Sequence, residues 1–219
     1  GRVGVTVQAV ELPSQLNPVD VFPALPTINA LHDLLGIAEK DVLRFSSGMY
    51  VAGQRFANWS RSLPPFMHAY DTVGAPFDRV DFLQYWIKAR QQGLNVPYED
   101  FCLGAAAAKQ GRFIALSDNA RSFSKAAKGF HLDAVNYGQL IKAIAVKRGI
   151  AHVEGVLADV AVADGQIASI ALADGRKFEA DLFVDASGSE GALIGRLGGE
   201  PENWGQYFPC NRVMAGAGK

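Results

Sequence analysis

Near the end of the chain, Ala180-Asp181-Leu182-Phe183-Val184-Asp185 runs straight into Ala186-Ser187-Gly188-Ser189. This junction constrains the fold more than any other stretch. The apolar run reads as a buried strand, and Glu190 to Leu197 as a helix behind it. Small side chains between the two let a backbone approach a ligand closely. A helix start offers unpaired N–H groups to an anion. In open α/β sheets, ligands sit beyond the carboxyl ends of the strands. The expectation is an α/β chain with Ala186, Ser187 and Gly188 facing a cofactor. A plain strand-to-helix connection has the same composition, so the neighbours must decide.

The rest of the chain supplies elements for such a sheet. Val3 to Val10 is β-branched and apolar and stops at Glu11-Leu12-Pro13, a short buried strand with an acid at its carboxyl end. Ser14 to Pro26 lacks helical periodicity and is expected as loop. Thr27 opens a helix through Ile28, Leu31, Leu34 and Leu35 that Gly36 closes. A second short helix covers Lys40 to Phe45. Met49 to Trp59 reads as one strand, followed by a linker through Pro64-Pro65 and Gly74-Ala75-Pro76, and by a helix from Asp81 toward Gly93. Ala105 to Ala108 favours helix but is too short to stand alone. The clearest long helix runs from Asp133 to Arg148, with Val135, Leu140, Ile141, Ile144 and Ala145 on its apolar face and Gly149 at its end. Asp164-Gly165 and Asp174-Gly175 then join Val153–Val162, Gln166–Leu172 and Arg176–Glu179 into a meander.

Charge and cysteine usage narrow the function. Twenty-one Lys and Arg against 22 Asp and Glu leave a net charge of −1, with no footprint for nucleic acid or an anionic membrane. Lys125 and Lys128 form the one local basic cluster, most simply a solvated face. Cys102 and Cys210 are far apart and in no ligand spacing, so no metal site is expected and a reducing, cytoplasmic setting fits. No apolar run is long enough to cross a bilayer.

Several separated segments carry a resemblance. Phe130-His131-Leu132-Asp133-Ala134, a helix, Arg148-Gly149-Ile150-Ala151-His152-Val153-Glu154-Gly155, the meander and the Ala-Asp-Leu-Phe-Val-Asp-x-Ser-Gly stretch follow one another in the order of tryptophan halogenases. Leu34-Leu35-Gly36-Ile37, Gly48-Met49-Tyr50, Phe56-x-Asn58-Trp59 and the Phe82-to-Arg90 helix are similar to that family too. The resemblance spans nearly the whole chain. It implies an FAD/NAD(P)-binding-like three-layer fold with a parallel sheet and an antiparallel meander insert, incomplete at both ends. Residues 1–199 would form the partial FAD domain, with 60–130 as a substrate-side insertion and 200–219 as the start of a truncated C-terminal part. It also implies a reduced FAD supplied by a partner flavin reductase. Oxidised halide would pass through a tunnel to an aromatic small-molecule substrate such as tryptophan, where an essential lysine positions it. A flavin monooxygenase-like relative that does not halogenate, and a non-catalytic flavin-binding or interaction module, remain alternatives. A homo-oligomer is left open.

Carried over residue by residue, the resemblance gives a mixed site. The family's lysine position is Val51, directly after Tyr50, and valine can neither donate a hydrogen bond nor accept a halogen. Arg55, four residues on, would share its face of the strand but is always charged and not nucleophilic. The Gly-x-Gly-x-x-Gly turn is absent, and Val19-Asp20-Val21-Phe22-Pro23 holds no glycine where the family has a glycine-rich strap. Glu11 stands where an acidic strand end holds the ribose. Val156 and Leu157 match the strand that lines adenine, although they serve equally as strand core. His68 and Tyr70 match aromatic rings that sandwich the substrate, where flat faces fix one orientation. No residue is assigned as the catalyst.

Overall fold

A computed structural model describes residues 4–113, 127–199, 201–212 and 214. Lys125 and Val3 lie outside the described residues. In chain order the elements are β1 (Gln8–Glu11), β2 (Val21–Ala24), α1 (Ile28–Leu35), α2 (Glu39–Phe45), β3 (Met49–Val51), β4 (Gly53–Phe56), β5 (Phe66–Ala69) and α3 (Phe82–Gln91). They continue with α4 (Leu103–Lys109), β6 (Gly129–Asp133), α5 (Ala134–Lys147), β7 (Ala151–Glu154), β8 (Leu157–Ala163), β9 (Gln166–Leu172) and β10 (Lys177–Phe178). The fold is mixed α/β, with one parallel strand pair and several antiparallel ones among the described residues. The chain divides into two compact units, residues 1–17 with 141–219, and residues 18–140.

The first unit pairs β1 with β7 in parallel, Gln8 opposite Ala151 through Glu11 opposite Glu154. Its meander, β8–β9–β10, is antiparallel as the Asp-Gly pairs predict. Asp164 and Gly165 both have positive φ, 50° and 73°, the backbone of a type I′ hairpin turn. Two corrections fall at its end. Residues 180–185 form no strand: Leu182 and Val184 are 78% and 79% exposed, because no strand pairs with this extended segment among the described residues. No α-helix follows either; Gly188–Glu190 and Ile194–Leu197 are 3₁₀ turns.

The second unit is built on the sheet β2–β6–β3, with β6 central and both neighbours antiparallel to it. Phe130 and Leu132 of β6 are fully buried, together with Val42 of α2. β2 corrects the loop expected over 14–26. Pro23 is tolerated because β2 is an edge strand, where a missing donor need not break the ladder. The expected single strand over 49–59 is split at Ala52: β3 joins β6, whereas β4 forms a hairpin with β5. β5 itself falls inside the expected linker. Helix boundaries fare better. α1 begins after Thr27, whose side chain makes no capping hydrogen bond, and ends at Gly36, left-handed at φ 67°. α4 extends the four alanines to seven residues, with the Cys102 sulfur accepting from the Ala105 N–H at its start. On α5, Val135 is exposed, and Tyr137 is the buried residue that hydrophobic spacing did not single out.

Candidate functional site

In the first unit, the parallel register decides which side chains meet. Residues two apart on a strand share a face, so His152 and Glu154 point the same way, and Glu11 lies directly beside Glu154. Lys142 reaches in from α5, placing Nζ 2.8 Å from Glu11 Oε2 and pairing with Glu154 as well. His152 Nε2 lies 2.6 Å from the same Glu11 oxygen. The hydrogen bond from Lys142, against burial and with help from His152, holds the Glu11 carboxyl below the usual carboxylate range. Its two acidic partners raise the Lys142 ammonium above its ordinary value. The ligand atoms of Glu11, His152 and Glu154 lie within 4.8 Å of one another, and the lysine charge stands among them. The result is an ionised, oriented carboxylate at the carboxyl end of a parallel strand.

The small-residue junction is a self-satisfied corner. The Asp185 carboxylate accepts from the Ser187 N–H (3.0 Å), the Ser187 hydroxyl (2.6 Å), and the N–H groups of Leu193 and Ile194 (2.9 Å each). Ser187 Oγ in turn accepts from the Ala192 N–H. Led by the Ser187 hydroxyl, these donors hold the Asp185 carboxyl far below its ordinary value. The N–H groups of Ser187, Ala192, Leu193 and Ile194 are thus used by the chain's own side chains. Gly188 takes φ 72°, with open space where a Cβ would stand. The Gln15 side chain donates to Glu190, tying the loop after β1 to this corner. Val156 lies exposed between β7 and β8, its carbonyl accepting from Ala173, which removes its reading as strand core. Leu157 opens β8 opposite Leu172 and is half-buried.

In the second unit, a cleft of about 1160 Å³ lies between β5 and α3. His68 of β5 lines it. Tyr70, just past the strand end, packs instead against Gly129, where an added Cβ would stand 3.1 Å from its ring. Phe82, Trp86 and Arg90, at i, i+4 and i+8 on one face of α3, line the same cleft. Trp86 meets Tyr98 edge-on at 5.3 Å, and its Nε1 donates to the Val96 carbonyl. Arg90 lies over the Trp86 ring at 5.5 Å. None of these helix residues was singled out from sequence, although their spacing alone places them on one face.

Val51 sits half-buried on β3, opposite Gly129. Beside it, Tyr50 stacks on Phe113 at 4.4 Å and donates its hydroxyl to Glu39. Burial and Glu39 push the Tyr50 phenol up to about 12. Lys128 pairs with Glu39 at 2.8 Å and lies 4.6 Å over the Tyr50 ring, so it is an internal counter-ion rather than part of a solvated basic face. Arg55 does not share Val51's face. It lies exposed on β4, in the other sheet, because the chain breaks at Ala52.

Comparison with known proteins shows what the chain as a whole is similar to. A family model described as tryptophan halogenase matches residues 5–219. The tryptophan 6-halogenase ThaL of Streptomyces albogriseolus is 28% identical over 210 residues, covering 86% of this chain and 38% of its own length. BrvH, a flavin-dependent halogenase from Brevundimonas sp. BAL3, superposes with a TM-score of 0.82 at 32% identity, over 95% of this chain and 42% of its own. Xcc4156, a flavin-dependent halogenase from Xanthomonas campestris, gives 0.79 at 28% identity, over 91% and 41%. The chain thus spans about two fifths of the length of these relatives.

Proposed function

The chain belongs to the tryptophan halogenase family, and from that premise we propose that it is the part of a flavin-dependent halogenase-type protein that holds the adenosine end of FAD and one wall of an aromatic-substrate pocket. The observation that carries this is the Glu11 carboxylate. It is ionised, oriented by Lys142 and His152, and placed at a parallel strand end, where ribose hydroxyls need an acceptor. The residues present fit the ribose. Asp185 and Ser187 take the N–H groups of Ser187, Ala192, Leu193 and Ile194, so these four are not offered to a phosphate. When bound, reduced flavin supplies the oxygen activation that yields an oxidised halogen. His68 and the ring of Trp86 line the cleft that would orient an electron-rich aromatic and keep water from it. A separate flavin reductase would deliver the reduced cofactor.

Flavin binding tests the reading. Titration of FAD, followed by its fluorescence, is expected to give saturable binding that Glu11→Ala weakens about tenfold, or about 1.4 kcal/mol. Equal affinities in the two proteins, with unchanged circular dichroism, would remove Glu11 from the site. A second reading, a flavin monooxygenase-like protein that does not halogenate, is favoured by Val51, which offers no polar atom at the family's lysine position. With reductase, bromide and indole supplied, Val51→Lys is expected to raise brominated product by roughly a hundredfold, the scale of one positioned proton-donating group. Product that stays at background in a flavin-binding Val51→Lys protein decides for the second reading.

A further inference from the structure

The cleft between β5 and α3 is larger than a single small aromatic requires. Its volume of about 1160 Å³ exceeds the roughly 300–1,000 Å³ typical of pockets for drug-sized ligands. One long side is the strand β5. Phe66, Met67, His68 and Ala69 all line the cleft, and β5 pairs with β4 alone among the described residues, so its second edge meets no strand. An unpaired strand edge offers alternating backbone donors and acceptors to an extended chain. The opposite side is aromatic. Phe82 packs against Gly74, where a Cβ would stand 2.2 Å from the ring, and the Trp86 ring stands against Tyr98.

The two ends of α3 carry opposite charge, and Glu99, which also lines the cleft, is paired with Lys109. Asp81 immediately precedes α3 and lines the cleft with Asp71; neither forms an ion pair among the described residues. Arg90 lies in the last turn of α3, over Trp86 and 3.4 Å from the Asn95 side chain, with no carboxylate partner among the described residues. Arg90 follows Asp81 by nine steps of about 1.5 Å, about 13 Å along the axis. An extended peptide covers that distance in about four residues at roughly 3.3 Å each.

We propose that this cleft binds an aromatic side chain carried on a short extended peptide, laid along β5 with a basic group toward Asp81 and an acidic group toward Arg90. The inference deepens the aromatic-substrate reading above and rests on it for the chemistry, not for the binding. Calorimetry with the full chain tests it. The probes are two blocked pentapeptides with a central tryptophan and lysine and glutamate at opposite ends, one in each sequence direction, against N-acetyltryptophanamide. One peptide is expected to bind at least tenfold tighter than the amide. Arg90→Glu should abolish that advantage, and exchanging the peptide's glutamate for lysine should restore it in the variant, a rescue that misfolding cannot imitate. The amide binding as tightly as both peptides overturns the proposal, as does the failure of both peptides in protein that binds FAD. Peptide binding with charge-swap rescue in protein that does not bind FAD upholds the cleft and removes the flavin reading.

Discussion

Phe130→Ala is expected to lower the stability of the unit spanning residues 18–140 by about 4 kcal/mol, the scale of a deleted core aromatic. Phe130 is fully buried on the central strand of a three-stranded sheet. Its ring meets His32 at 6.0 Å and Tyr50 at 5.7 Å, so the cavity would be lined from α1 and β3 at once. Collapse around it is hindered by Gly129 beside it, whose Cβ position is already 2.3 Å from the Ala24 carbonyl oxygen. Denaturant titration would measure the loss, and a change below about 1 kcal/mol would show that the sheet closes over the gap. Acid should add to the effect. His32 is buried, hydrogen-bonded to the Tyr137 hydroxyl at 3.0 Å, and burial lowers its pKa. The unfolded chain therefore binds the proton more readily than the native one, and this unit weakens as pH falls below the ordinary histidine value of 6.5.

The second large effect belongs to the other unit. Asp185→Ala is expected to cost about 2–3 kcal/mol, since hydrogen bonds to a charged group contribute about 1.5–3 kcal/mol and four donors lose their acceptor together. Hydrogen exchange at Leu193 and Ile194 would report it locally as lost protection, and protection equal to the unsubstituted protein would exclude the carboxylate as the organiser of the corner. The pH dependence has the opposite chemistry and the same sign. The native Asp185 pKa is depressed, so its contribution is complete above the ordinary value of 3.8 and is lost as pH falls below it. Acid thus loosens the histidine-centred unit first and the aspartate-centred corner last.

What could be read in the sequence was what local chemistry decides. Thr27 and Gly36 bracket α1, Asp164-Gly165 makes its turn, and Gly149 at φ 84° follows α5, because each depends on a few adjacent residues. Sequence and structure part where distant pairing decides. Pro23 argues against a strand until β6 is known to leave β2 at an edge. Met49 to Phe56 looks continuous until Gly129 and Ala69 claim its two halves for different sheets. Leu182 and Val184 have the composition of a buried strand, but burial needs a neighbour that those residues cannot specify. At the site, Glu11 was visible as an acid at a strand end. Lys142 and His152 became its partners only through the parallel register. At the corner, Asp185 and Ser187 lie inside the motif that suggests an open anion site, and they take the N–H groups of Ser187, Ala192, Leu193 and Ile194.

Pro23 has one more effect. A proline at the third position of a four-residue border strand has no proton to lend a newcomer, so the β2 margin is a poor template for further backbone pairing. Enlargement of that sheet is thereby directed to its far margin, beyond β3. Whatever annexes itself there, be it more of the same polypeptide or a foreign strand, would abut the backbone that carries Tyr50 and Val51.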